Sequence, residues 1–261
     1  MPKVVGFQYD VAWEDRAANF ERVRALLPGA ADAVEPGSLL ILPEMFSTGF
    51  SMDVGVTAES EENSESLGFM RSLATETRCA VLGGLVTPSE NDCKMGRNEL
   101  RVIAPDGSQL ARYQKNRTFR YTREYGHYER GSELTIFEWD GLRICPLICY
   151  DLRFPELFRR GTSLGAEAFI VIASWPAVRA DHWVTLLRAR AIENLAWVVG
   201  VNRIGPDPVW PNAGRSIVID PHGKIVADAG AEDAGLLKAD LDPEVVRNWR
   251  KEFPTLMDME L

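Results

Sequence analysis

Short apolar, β-branched runs alternate along this chain with segments of helical period, the rhythm of an α/β protein. Val4 to Gln8 predicts a first strand. Ala17, Phe20, Val23 and Leu27 then recur at helical spacing between the acidic Glu14 and Asp15 and the stop Pro28-Gly29. Leu39 to Leu42 predicts a strand ending at Pro43-Glu44, Ser66 to Arg78 a helix, and Ala80 to Val86 another strand. Residues 98–103 and 111–114 flank Pro105-Asp106-Gly107 as a hairpin. Residues 115–133 are polar and aromatic without clean periodicity and predict a long loop, a feature that is often functional in compact domains.

Beyond it, Leu134 to Trp139 and Leu142 to Ile148 predict two strands joined at Asp140-Gly141. The second stops at Cys149, ahead of a helix begun by Pro155 and running to Leu164. Ala168 to Ser174 is nearly all apolar, as expected of a strand covered on both faces. His182 to Leu195 predicts a helix capped by Asp181, and residues 198–201, 216–219 and 224–227 predict further strands. There is no linker-like or low-complexity segment and no repeat, so residues 1–261 are expected to form a single domain.

Composition narrows the partners. With 29 basic and 38 acidic side chains the net charge is −9, which repels phosphate backbones and anionic lipid, so neither nucleic acid nor membrane is an expected partner. Apolar runs such as Ala168 to Ala173 fall far short of the roughly 20 residues of a membrane span. Met1-Pro2-Lys3 leads straight into a strand without a signal-peptide layout, so a cytoplasmic location is expected. Cys79, Cys93, Cys145 and Cys149 lack paired spacing and are expected as reduced thiols; Cys145 and Cys149 on one strand would lie roughly 13 Å apart. His127, His182 and His222 are scattered, so no metal site is expected. The acidic run Glu59 to Glu65 reads as a solvated helix start.

Three residues could carry chemistry. Glu44 follows a strand, Lys115 heads the aromatic loop, and Cys149 sits at the carboxyl end of a buried strand before a helix. Singly they also read as a loop acid, a solvated charge and a core thiol. Together they form a coherent set, because a thiol needs a base and an oxyanion needs a cation; the Tyr150 N–H after the thiol could complete an oxyanion hole. Phe46, Phe119, Tyr125 and Trp175 are candidate pocket walls, with core packing as the alternative for each.

These residues carry a family resemblance. Leu-Pro-Glu-Met-Phe at 42–46, Tyr-Gln-Lys at 113–115 and Ile-Cys-Tyr-Asp-Leu-Arg-Phe-Pro-Glu at 148–156 resemble the base, lysine and nucleophile motifs of the nitrilase superfamily of carbon–nitrogen hydrolases. The order Glu, Lys, Cys and the spacings of about 71 and 34 residues fit, as do Arg188 to Asn194 and Asn202-Arg203. The likeness covers residues 3 to about 240, leaving a tail at 241–261, and is greatest to the bacterial omega-amidase branch. It implies a four-layer α-β-β-α sandwich with two mixed β-sheets and an amidase with no cofactor. Glu44 would be general base, Lys115 oxyanion stabiliser, Cys149 nucleophile and Glu124 a second glutamate positioning Lys115. The substrate would be a small amide such as 2-oxoglutaramate or 2-oxosuccinamate. Its remote carboxylate would need a cation, for which Arg153 is the candidate, an ion pair with Asp151 or Glu156 being the other reading. A nitrile or N-carbamoyl amino-acid hydrolase, an acyltransferase using the same thioester, and a non-catalytic binding protein are the alternatives. The family implies a homodimer, with 182–195 and 243–261 at its interface. The chain departs from the family at Arg117, in Arg117-Thr118-Phe119, and at Arg215, in Gly214-Arg215-Ser216.

Overall fold

A computed structural model describes residues 1–27 and 34–259; the expected stop at Pro28-Gly29 and the last two residues of the expected interface tail lie outside them. Two mixed six-stranded sheets form the centre of the fold. The first runs in the order β14 (Gly235–Asp240), β1 (Lys3–Gln8), β2 (Leu39–Ile41), β3 (Ala80–Pro88), β4 (Gly96–Ile103) and β5 (Gln109–Gln114). The second runs β13 (Ile225–Asp228), β12 (Ile217–Ile219), β9 (Trp197–Asn202), β8 (Ala168–Ala173), β7 (Leu142–Ile148) and β6 (Phe137–Trp139). Each has three parallel strands, β1-β2-β3 and β9-β8-β7, flanked by antiparallel neighbours. Two short strands, β10 (Ile204–Gly205) and β11 (Asn212–Ala213), pair separately.

Side-chain alternation builds the layers. Val4, Leu39, Ile41 and Leu82 of the first sheet share one core with Leu147, Ile170, Ile172 and Val201 of the second. Their neighbours Val5, Leu40, Leu42 and Val81 point the other way, under α1 (Arg16–Ala25) and α2 (Glu65–Thr77) through Val23, Met70 and Leu73. On the second sheet α3 (Pro155–Ser163) and α4 (Ala180–Asn194) contribute Leu157, Phe158, Trp183 and Leu187. The sheets approach closely at Gly6, where a Cβ would fall 2.8 Å from Val201. All six residues of β8 are buried, as expected of a strand covered on both faces, at about 1.5–3 kcal/mol for each large apolar side chain.

Several expectations need correction. Leu134 and Ile136 pack against the core without joining β6, which starts at Phe137. Helix α4 begins two residues earlier than expected, because the turn Ala177–Arg179 feeds directly into it; Arg179 occupies the cap and Asp181 lies in the first turn. The acidic run is not simply solvated, since Glu59 caps the start of α2 and pairs with Arg16 while Glu61 bridges Arg101. Strand β14 and helix α5 (Pro243–Glu252), the latter within the expected tail, had no counterpart in the pattern reading.

Candidate active site

The ends of β2, β5, β7 and β8 deliver the chemistry to one place. Glu44 comes three residues after β2, Lys115 directly after β5, Cys149 directly after β7 and Ser174 directly after β8. Lys115 Nζ donates to Glu44 Oε1 at 2.8 Å and to Glu124 at 2.9 and 3.2 Å, and all three side chains are buried. Glu44 Oε2 accepts the Ser174 N–H at 2.9 Å, so this carboxylate spans the two sheets. The Cys149 thiol donates to the Ser174 carbonyl oxygen at 3.9 Å, which places it beside the same carboxylate. Glu124 is held in turn by the Phe119 N–H.

Two buried carboxylates around one ammonium leave an excess negative charge, and the protonation states follow. Burial works against the Lys115 ammonium, but Glu124 and Glu44 outweigh it and raise its pKa, so it stays charged. Burial, reinforced by the charge of Glu44, pushes the Cys149 thiol well above its ordinary range, with Lys115 opposing. Burial likewise lifts the Glu124 carboxyl. The thiol is therefore neutral at rest, and becoming a thiolate would require a base to take its proton.

The local backbone presents that thiol. Cys149 has φ +45°, in the left-handed region that a non-glycine residue rarely adopts, at a sharp elbow from strand to helical turn. Asp151 pins the elbow: Oδ2 accepts from Ile148 N–H at 3.0 Å and Tyr113 Oη–H at 2.7 Å, and Oδ1 from Arg117 N–H at 2.8 Å. Burial raises the Asp151 carboxyl to about 7 against those bonds. Asn98 of β4, which sequence reasoning missed, donates its amide to Glu44 at 2.8 Å and to Glu124 at 3.3 Å. The signal was there in a lone amide on a strand buried along its whole length.

A cavity of about 320 Å³ opens onto Cys149 and Lys115, within the range of small-molecule sites. Of the expected wall residues, Phe119 and Trp175 line it, as do Tyr150 and Arg153, which were expected as oxyanion donor and carboxylate partner. Phe46 and Tyr125 do not: Phe46 is in the core beneath α2, and Tyr125 faces solvent beside Arg120. Trp13, Phe50, Met52, Tyr121, Arg179 and Trp210 complete much of the wall and were not foreseen. The Asn202 side chain fixes Trp175 through a pair of backbone bonds of 2.7 and 3.1 Å. Arg153 makes neither of its expected ion pairs; its guanidinium lies 4.8 Å from the Trp175 ring centroid and 3.2 Å from His182 Nδ1. Asp151 is engaged by the elbow, and Glu156 pairs with Arg117. Both family departures thus lie off the pocket, Arg117 in that pair and Arg215 against Asp228 at 2.9 Å. Among the described residues no group of three or more His, Cys, Asp or Glu is placed to hold a metal ion.

The Carbon-nitrogen hydrolase family profile matches residues 4–251. An omega-amidase, YafV, of Yersinia enterocolitica is 37% identical over 99% of this chain and 96% of its own length. A 2-oxoglutaramate amidase of Bacillus subtilis is 30% identical over 97% and 95%. A crystal structure of a Xanthomonas campestris CN-hydrolase superfamily protein, with an arsenic adduct in its active site, superposes with a TM-score of 0.91 at 32% identity, covering 100% of this chain and 97% of that one.

Proposed function

This chain belongs to the carbon–nitrogen hydrolase family, and from that membership we propose a cysteine-dependent omega-amidase that releases ammonia from small amides such as 2-oxoglutaramate and 2-oxosuccinamate. The observation that carries this reading is the Glu44 carboxylate, bonded to the Lys115 ammonium and to the N–H of Ser174, whose carbonyl accepts from the Cys149 thiol, behind a pocket that Lys115, Cys149 and Arg153 line.

Glu44 takes the thiol proton as Cys149 Sγ attacks the amide carbonyl carbon. The tetrahedral oxyanion is held by Lys115 Nζ and the Tyr150 N–H. Glu44 then gives its proton to the departing nitrogen; the C–N bond breaks, ammonia leaves and a thioester remains. Water, deprotonated by the same carboxylate, attacks the thioester and expels the thiolate, which recovers the proton. Glu124 keeps Lys115 aimed and shares its charge. Phe119 and Trp175 wall the acyl chain, and Arg153 faces its far carboxylate. The apolar side chains Ile192, Phe253 and Met257, exposed by 50%, 46% and 85%, are the surface on which two copies associate, and the working state is a cytoplasmic homodimer.

Ammonia release tests the reading, with 2-oxoglutaramate and 2-oxosuccinamate set beside aliphatic amides, a nitrile and an N-carbamoyl amino acid. Turnover of the 2-oxo amides that disappears in Cys149→Ala is expected. Inactivity on these with turnover of another class overturns the substrate, and full activity in Cys149→Ala overturns the mechanism. Hydroxylamine in the assay would divert the thioester to a hydroxamate if acyl transfer competes with hydrolysis.

A further inference from the structure

Arg179 was not among the expected site residues, yet it lines the same pocket as Cys149 and Arg153. Its guanidinium lies between two aromatic rings, 5.1 Å from the Trp210 centroid and 5.7 Å from that of Phe119. Its Nη2 is buried and makes no hydrogen bond. Among the described residues neither Arg179 nor Arg153 has a carboxylate within ion-pair distance. The acid nearest to hand in the pocket wall, Asp207, is occupied by the Val209 and Trp210 N–H groups at 2.7 and 2.8 Å and by the Asn212 amide at 3.2 Å. The charge of Arg179 is close enough to add to burial in lowering the Arg153 pKa. Two guanidiniums thus face one cavity with neither of them ion-paired to a carboxylate.

The fold holds them there through one residue. The Trp175 indole N–H donates to the Arg179 carbonyl at 2.8 Å, while its ring face carries Arg153. The Trp175 backbone is itself clamped by Asn202. Leaving a buried donor unpaired and two like charges together is costly, unless an anion with several acceptors completes the arrangement.

We propose that Arg179 is a specificity-determining residue of this pocket, closing with Arg153 on the carboxylate at the end of the substrate remote from the scissile amide and so selecting anionic acyl chains over neutral ones. This rests on the amidase reading for its substrate, but not for its anion site. A fork from each side fits a 2-oxo acid, whose carboxylate and adjacent ketone offer three acceptor oxygens.

The test compares wild type with Arg179→Gln and Arg179→Lys on 2-oxoglutaramate and on chain-matched, uncharged pentanamide. In Arg179→Gln the ratio of kcat/KM for the anionic to the neutral amide is expected to fall about 10- to 100-fold, chiefly through KM, with partial recovery in Arg179→Lys. A second readout needs no turnover: protection of Cys149 from iodoacetamide by 2-oxobutyrate, a 2-oxo acid without an amide. Its half-protecting concentration should rise about tenfold or more in Arg179→Gln. If wild type turns over no amide but this protection is seen and then lost in the variant, the anion site stands and the amidase reading falls. If 2-oxoglutaramate is hydrolysed and both the ratio and the protection are unchanged in Arg179→Gln, or both substrates decline in step, the amidase stands and the role of Arg179 is overturned.

Discussion

Lys115 balances the charges of the site, and its removal should be felt in folding as well as in rate. In Lys115→Met the buried Glu44 and Glu124 would face each other across an apolar gap, a loss of about 3–5 kcal/mol by analogy with broken buried pairs. Urea unfolding should show that loss, and kcat should fall by about 10² or more for want of the oxyanion cation. Adding Glu124→Gln should recover much of the stability and none of the rate. Asp151 supplies a pH signature. Its folded pKa of about 7 lies above the ordinary 3.8, so the native state keeps its proton where the unfolded chain has lost it. Its effect is therefore nil below about pH 4, and stability is lost progressively as pH rises from there to about 7. Denaturant midpoints of wild type and Asp151→Asn across pH 4 to 8 should converge or cross as wild type loses a few kcal/mol relative to the variant; parallel curves would refute this.

Elements aim these residues, and glycine 84 of β3 shows how tightly. A Cβ there would fall 2.8 Å from Glu44 Cα and Met45 N, and 2.9 Å from Ile172 Cδ1. Gly84→Ala should cost about 1–3 kcal/mol and lower kcat by displacing Glu44, the proposed base, whereas Gly68→Ala on the exposed face of α2, with open space around it, should gain about 0.5–1 kcal/mol in thermal or urea unfolding. The same view explains what could be read in advance. The strand-end positions of Glu44 and Cys149 were legible because an apolar run marks where each strand stops, and that of Lys115 because it closes a hairpin strand; their roles came only from the motif resemblance. Trp13, Phe50, Arg179 and Trp210 were not, because they reach the pocket from turns after different strands, and only the packing of two sheets brings those turns together. Strand β14 escaped notice because Gly-Leu-Leu-Lys-Ala-Asp has little intrinsic strand preference; its conformation is imposed by pairing with β1 along all six residues. The early start of α4 was hidden for a similar reason, since a turn anchored to Trp175 overrides the better capping residue, Asp181.

The whole molecule is a single chain laid down out of spatial order. If two copies associate through the exposed Ile192, Phe253 and Met257, light scattering should report about twice 29.1 kDa, and Met257→Asp should shift the population toward monomer without unfolding it. Covalent order has a further consequence at β1. Lys3 to Gln8 are made about 230 residues before their outer neighbour, residues 235 to 240. At about 5–20 residues per second, roughly 10 to 50 s separate the two at the ribosome, during which Val4, Val5 and Phe7 lie on an uncovered strand edge. Pairing with a neighbouring nascent chain can compete with the native partner throughout that interval, a window that closes once residues 235 to 240 dock on β1.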